Sequence, residues 1–289
     1  MADFQFLQNP ISKLWVVLAP RRSKRHDIAH EKSFTCPFCP GRETEDPEVF
    51  RIGGEDTDSN WEVRVLTNKF AFAPIHEIVV HSPDHHKNFD ELPIDQVERI
   101  LTAYRLRFQT HEKDGAVYIF NNHGQEGGES IPHPHTQLVV LDRELLSQIQ
   151  PLVTADEYFE TPFFKIFCPE TSQWPDEVWI APKRKDTTFG EIEDVEVTDL
   201  AVTLQRIIQL LDMRHGYEFP FNFYIYPGKN WYLRLMPRLK SLGGFEVGTG
   251  IFVNTQDPKE TFRFIKSYFE NREVEQLQEE EKANYAREV

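Results

Sequence analysis

The sequence predicts an α+β protein built from two tandem copies of one strand–helix–strand unit. Three observations carry that prediction. Short segments alternate apolar and polar residues, or run apolar, as strands do. Two longer segments carry apolar residues at helical spacing. The order of these segments then recurs about 100 residues later: "HEIVVHSPDHHKNFDEL" begins at His76 and "DEVWIAPKRKDTTFGEI" at Asp176. Direct counting sets His76 against Asp176 and Phe89 against Phe189. Few residues are identical, so the order of patterns carries the repeat.

In the first copy, "KLWVVLAP" reads as a strand stopped by Pro20, followed by a basic patch of Arg21, Arg22, Lys24 and Arg25. A Pro/Gly-rich knuckle, "CPFCPG", comes next. "WEVRVLTNKF" and "IHEIVVHSP" read as strands. A helix fits residues 94–110, where Val97, Ile100, Leu101, Tyr104 and Phe108 share one face. "AVYIFNN" is a strand, "HGQEGGES" a glycine-bearing loop and "TQLVVL" a further strand. In the second copy Leu200, Leu204, Ile207, Ile208 and Leu211 mark the helix. "FNFYIYP" stands for "AVYIFNN", and "NWYLRLMPRL" for "HPHTQLVVL". The first copy therefore has a histidine pair where the second has Tyr232 and Arg234, so one copy holds the chemistry and the other a degenerate site. The closing "EVEQLQEEEKANYAREV" reads as a polar, acidic helix or tail.

Composition narrows the functional class. The 289 residues are 39% hydrophobic and 13% aromatic, enough for a packed core. A formal net charge of −15 argues against nucleic-acid binding through the overall field, so a phosphorylated ligand must meet a local basic cluster. Three cysteines exclude a disulfide framework, and the isolated Cys168 reads as a small buried hydrophobe. The N-terminus lacks the pattern of a signal peptide, and no apolar run approaches the ~18 residues a membrane span needs. The expectation is a soluble cytoplasmic protein.

Two motifs carry chemistry. Cys36-Pro37-Phe38-Cys39 offers half of a tetrahedral metal site, and histidines must complete it: His85, His86, His123, His133 and His135 are at hand. The second motif is His133-Pro134-His135 ahead of a strand. Imidazole attacks phosphorus well near neutral pH, provided its other nitrogen is held by a fixed acceptor. A His-Pro-His turn can supply a carbonyl from two residues back. Gln137, two positions on, falls on the same strand face as His135 and can donate to a phosphoryl oxygen.

In order along the chain, "LWVVLAPRRSKR", "CPFCPG", "VRVLTNKF", "HEIVVHSPDHHK", "NNHGQEGGESIPHPHTQ" and "MPRLKSLGGFEVGTGIFVN" resemble segments of the galactose-1-phosphate uridylyltransferase family, a branch of the histidine-triad superfamily. The resemblance spans most of the chain. It implies two histidine-triad-like halves, residues 1–165 and 166–289, whose antiparallel sheets join with helices packed on them. It assigns zinc to Cys36, Cys39, His85 and His133; the family's Ser-Pro-Asp-His favours His85 over its neighbour His86. His135 would be the nucleophile and Gln137 would bind the transferred phosphoryl group. Asn68 would contact the nucleoside, and Asn122, Ser130, Arg22 and Arg25 would surround the phosphates. Glu246 would meet sugar hydroxyls. The implied reaction exchanges UMP between UDP-glucose and galactose 1-phosphate through a uridylyl-histidine, in a homodimer. Two other readings stay open: a phosphorylase using ADP-glucose or a dinucleoside polyphosphate, and a non-catalytic nucleotide-sugar-binding protein. The chain departs from the family pattern at Tyr232 and Arg234, where many members have metal-binding side chains, which implies no second metal. It departs again at Glu129, where a small residue is usual.

Overall fold

Most helix-facing positions of the strands are Val, Ile, Leu and Phe, and they build one continuous core with the apolar faces of the helices. The computed structural model describes residues 4–24, 35–55 and 58–269. Arg25 and the acidic stretch 273–289 lie outside the described residues.

The first pair of strands, β1 (Gln5–Gln8) and β2 (Trp15–Leu18), forms a separate hairpin. The next five are β3 (Glu48–Ile52), β4 (Val63–Thr67), β5 (Ile75–Val80), β6 (Ala116–His123) and β7 (His135–Leu141). The last five are β8 (Phe159–Glu160), β9 (Phe164–Phe167), β10 (Val178–Pro182), β11 (Phe221–Ile225) and β12 (Leu233–Pro237). These ten form one antiparallel sheet in the order β3-β4-β5-β7-β6-β11-β12-β10-β9-β8. Helix α1 (Ile94–His111) links β5 to β6, and α2 (Asp194–His215) links β10 to β11. Each helix crosses over one intervening strand, β7 or β12. Read outward from the central β6–β11 seam, the two sides have the same topology. Two further helices are α3 (Gly244–Thr249) and α4 (Pro258–Phe269). The α+β class and the helix at 94–110 agree with the sequence reading. We propose that the boundary between the halves precedes β8, because residue 165 falls within β9, which pairs with β10.

The repeat itself has a register that counting misses. Val79 and Val178 both face the helices, while Val80 and Trp179 both face the opposite side. Val80 pairs with His135, and Trp179 pairs with Arg234. Strand positions therefore correspond at a spacing one short of the counted 100, because side chains alternate across a sheet. Phe89 and Phe189, both in the main core, keep the counted spacing, so the strand-to-helix connection is one residue longer in the second half. Tyr232 and Arg234 thus stand at the positions of His133 and His135.

The helix-free face differs between the halves. In the second it is filled: Trp179, Tyr232, Tyr224 and Trp174 pack together, with Trp179 and Tyr232 stacked at 4.2 Å. Arg234 lies within this cluster, its guanidinium 5.4 Å from the Trp179 ring. Its Nε and Nη2 each stand 2.8 Å from a Glu177 carboxylate oxygen, and the two side chains are 5% and 1% exposed. Such a pair is held by its own geometry, and removing one partner strands a buried charge. Replacing Arg234 by Met is expected to lower unfolding free energy by about 3–5 kcal/mol in urea titration. The double change Arg234→Met/Glu177→Gln should recover part of that loss, since the glutamine oxygen still accepts from the Trp179 indole N–H.

Candidate active site

On the helix-free face of the first half the sheet stays open. A cavity of about 350 Å³ is lined by Leu66 on β4, Asn68 just beyond it, Ile78 on β5, and His135 and Gln137 on β7. Phe38 of the knuckle and Ser130 of the loop before β7 close its sides. Alternation on β7 explains the placement: His135 and Gln137 face the cavity, and Thr136 faces the helices. Pro134 lacks an N–H but its carbonyl accepts from the His81 N–H at 3.1 Å, so the strand begins directly after it.

The His-Pro-His turn does what the sequence reading required. Nδ1 of His135 lies 2.9 Å from the carbonyl oxygen of His133. That contact makes Nδ1–H the donor and orients Nε2 as the ring's basic atom. Asn121 donates to the His135 carbonyl at 2.9 Å, fixing the backbone from the other side. Behind the strand, Thr136 Oγ1 accepts from Tyr104 at 2.5 Å and lies 2.8 Å from His81 Nε2. Burial holds His81 well below the usual histidine range, so this backing is neutral and does not repel a cationic His135.

Next to the cavity, Cys36, Cys39, His85 and His133 bring one ligand atom each to within 4.8 Å of one another. Cys39 Sγ is 3.2 Å from His85 Nδ1, and both thiols are 3.7 Å from His133 Nδ1. Ligands about 2.0–2.3 Å from a tetrahedral ion are separated by such distances, so the four residues fit a metal ion. Nε2 of His133 donates to the Ser82 carbonyl at 2.9 Å, which turns the Nδ1 lone pair to the thiols. Burial keeps His133 neutral by lowering it to about 4. Burial also pushes the Cys36 thiol up to about 12, a cost that a bound cation reverses. His85 belongs to this cluster and His86 does not; the His86 N–H instead meets Asp84 Oδ1 at 2.9 Å.

The remaining expected residues divide between the cavity wall and its surroundings. Gln137 Oε1 and Asn68 Nδ2 each stand 3.0 Å from Nε2 of His76. Arg22 donates to the Phe70 carbonyl at 2.8 Å and lies over the Phe72 ring at 4.9 Å. It braces the 68–72 loop and is not among the residues lining the cavity. Asn122 Oδ1 accepts from Asn222 at 2.9 Å. Glu246 accepts from the Gly243 N–H at 3.1 Å and from Lys240 at 3.2 Å, within α3, and does not line the cavity. Sequence reasoning missed His76 and Asn222. His76 carried a usable signal, because alternation along β5 sets it on the face of Ile78. Asn222 carried none; it reaches the Gly127 carbonyl at 2.7 Å from the far side of the seam.

Glu129 is also explained. It turns into its own loop, where Oε2 accepts from the Gly124 N–H at 2.8 Å. A Cβ at Gly127 would come within 2.1 Å of the His123 carbonyl, so only glycine permits this closure. Burial, with Glu218 adding, pushes the Glu129 carboxyl up to about 7.

Comparison with known proteins shows what the chain is similar to. Residues 75–144, which hold His76, His85, His133, His135 and Gln137, match the family model for the galactose-1-phosphate uridyl transferase N-terminal domain. An ADP-glucose phosphorylase from Arabidopsis thaliana is 26% identical over 90% of this chain and 91% of its own length. A galactose-1-phosphate uridylyltransferase from Thermotoga maritima is 24% identical over 89% of this chain and 96% of its own. The chain is similar to the galactose-1-phosphate uridylyltransferase family in residues 75–144 and to these relatives over most of its length. That similarity supports an enzyme of the nucleotidyltransferase class. Among solved structures, the Arabidopsis ADP-glucose phosphorylase with bound ADP-glucose superposes with a TM-score of 0.69, covering 91% of this chain and 98% of that one. A uridylyltransferase structure at 23% identity shares the fold, with a TM-score of 0.74 over 91% and 98% of the two chains. No helix among the described residues is long and apolar enough to cross a membrane.

Two expectations follow. Metal analysis of the purified chain should find about one divalent ion per chain, and Cys36→Ser should lose both the ion and thermal stability. Unchanged metal content in that variant would refute the four-residue site. The second concerns Glu129. The folded chain keeps its proton to about pH 7, against an ordinary value of 4.5. The stability it contributes is therefore complete below the lower value and lost as pH rises to the upper. Burial pushes His123, whose Nδ1 lies 3.9 Å from Glu129 Oε2, down to about 4, which acts in the opposite sense on acidification. Glu129→Gln should be more stable than the parent above pH 7 by on the order of 2 kcal/mol, and equal at pH 4, in urea midpoints.

Proposed function

We propose that the protein is a double-displacement nucleotidyltransferase acting on a nucleoside-diphosphate sugar, with His135 as nucleophile. The observation that carries this reading is the 2.9 Å contact of His135 Nδ1 with the His133 carbonyl, at the wall of a cavity that also holds Gln137. Nε2 attacks the α-phosphorus of UDP-glucose. The bond to the bridging oxygen breaks and glucose 1-phosphate leaves with the electron pair. Nδ1–H stays on the His133 carbonyl, which offsets the positive charge the ring acquires. A phosphate oxygen of galactose 1-phosphate then attacks the same phosphorus, the P–N bond breaks, and UDP-galactose leaves. Gln137 would donate to the phosphoryl oxygens on which charge develops, and Ser130 and Asn122 would hold the loop beside them. Asn68 would meet the nucleoside from the end of β4.

We propose zinc for the four-residue site, since two thiolates and two imidazoles are a donor set it favours. There it would supply structural cross-linking, holding His133 and hence the carbonyl that aims His135. A homodimer fits the reading: Leu14 and Val16 of the hairpin and Phe245 and Val247 of α3 are exposed apolar side chains that a second copy would cover.

A second reading keeps the same nucleophile and changes the substrates. The Arabidopsis relative that matches 90% of the chain is an ADP-glucose phosphorylase, which favours adenylyl transfer to inorganic phosphate. Intact-mass analysis after incubation with one nucleotide sugar separates the readings. UDP-glucose alone should add one uridylyl group to the peptide containing His135; an adduct from ADP-glucose alone would move the assignment to the phosphorylase. His135→Asn should give no adduct with either, and an adduct in that variant removes His135 from the mechanism. Gln137→Ala should slow adduct formation by about 10²–10³-fold.

A further inference from the structure

We infer that His76 is a positioning residue for the transfer, holding the Gln137 amide with its N–H groups turned to the cavity. The inference rests on the reading of His135 as nucleophile and goes beyond it by assigning a residue that acts through Gln137.

His76 is buried on β5, with 2% of its surface exposed. Its partner in the ladder is Val139, and the neighbouring pair is Ile78 with Gln137. A ring at position 76 reaches the side chain at 137 along the diagonal of that ladder. The Phe72 ring packs edge-on against it at 4.5 Å, so the imidazole plane is fixed by packing as well as by polar contacts.

The proton on His76 is decided by a group that cannot turn around. The Phe72 backbone N–H points at Nδ1 from 3.4 Å. A backbone N–H only donates, so Nδ1 accepts and carries no hydrogen. In a neutral imidazole the hydrogen is then on Nε2. Nε2 stands 3.0 Å from Gln137 Oε1 and donates to it. That bond uses the oxygen end of the amide and turns the NH2 end outward. Phosphoryl oxygens only accept hydrogen bonds, so the amide assists transfer in this orientation and opposes it when reversed. Oriented donors fixed before the reaction are what stabilise developing charge, since they need no reorganisation at that moment.

Asn68 makes a contact that runs against this assignment while the cavity is empty. Its Oδ1 accepts from the Phe70 N–H at 2.8 Å, which again fixes the amide by a backbone donor. Its NH2 group therefore faces His76 Nε2 at 3.0 Å, donor against donor. An acceptor arriving between Asn68 and Gln137 relieves that approach, and a nucleotide oxygen is such an acceptor. His76 thus couples the nucleoside side of the cavity to the phosphoryl side.

The test is a double-mutant cycle on the full-length chain, read by first-turnover adduct formation with UDP-glucose and with ADP-glucose. His76→Ala should slow adduct formation by about 10–100-fold. In a Gln137→Ala background the same change should cost almost nothing, because the side chain it orients is gone. His76→Gln, which can place an N–H near the Nε2 position, should recover part of the rate, and it carries the test if the alanine variant fails to fold. Equal loss in both backgrounds, or no loss in the first, overturns the proposal. If the parent chain forms no adduct with either nucleotide sugar, the covalent reading fails separately, and the same cycle is read in nucleotide affinity by calorimetry. Nitrogen-15 spectra of the histidine rings give an answer independent of activity: His76 should carry its hydrogen on Nε2, and a hydrogen on Nδ1 overturns the proposal.

Discussion

Everything at this site turns on one residue doing two things at once. The His133 side chain joins the two thiols and His85, and its backbone carbonyl holds the His135 ring. The two roles are linked by geometry. Pro134 keeps the residue before it extended, so the side chain of His133 points to the knuckle while its carbonyl points to the next histidine. Loosening the side chain would swing the carbonyl, and with it the His135 ring. The remaining contacts, Ser82 on the His133 ring and Asn121 on the His135 backbone, restrict that motion further. Preorganisation here comes from backbone polar groups, which cost little to hold in place because the strand already fixes them.

The two halves of the sheet apply one architecture to opposite ends. In the first, the helix-free face is left concave, with aliphatic Leu66 and Ile78 beside polar His135 and Gln137 at its floor. In the second, large aromatic rings and a buried arginine–glutamate pair occupy the corresponding volume. Arg234 stands where His135 stands in the other half, yet its guanidinium is satisfied by Glu177, Tyr224, Gln150 and Gln173. A buried cation so thoroughly paired has nothing left to offer a substrate. The second half contributes instead through the seam, where Asn222 grips the loop that closes over the first half's cavity.

Much of this was legible in the sequence, for identifiable reasons. His133, His135 and Gln137 are close in the chain, so turn chemistry and strand alternation placed them without any tertiary knowledge. Cys36 and Cys39 marked half of a candidate metal site by spacing. Helix α1 followed from its apolar face. What could not be read depended on distant contacts or on register. The repeat was visible in its order, but its strand spacing was off by one residue, which reverses the face of every side chain. Glu129 looked misplaced beside phosphates because its turn back to Gly124 depends on the loop closing. The resemblance set Arg22 near the phosphates, and the Phe70 carbonyl it meets, 48 residues away, could not be read from the chain. His76 was passed over as one polar residue in an apolar strand.

The shared topology around the β6–β11 seam has a further implication. A sheet assembled from two equal subunits has to treat both faces of its dyad alike, so any change at one site is repeated at the other. Joining the copies in one chain removes that obligation. One half can accumulate bulky and charged replacements that suit packing alone, while the other keeps an opening that packing alone would have closed. The cavity beside His135 is in this sense underwritten by the density of the half that has none.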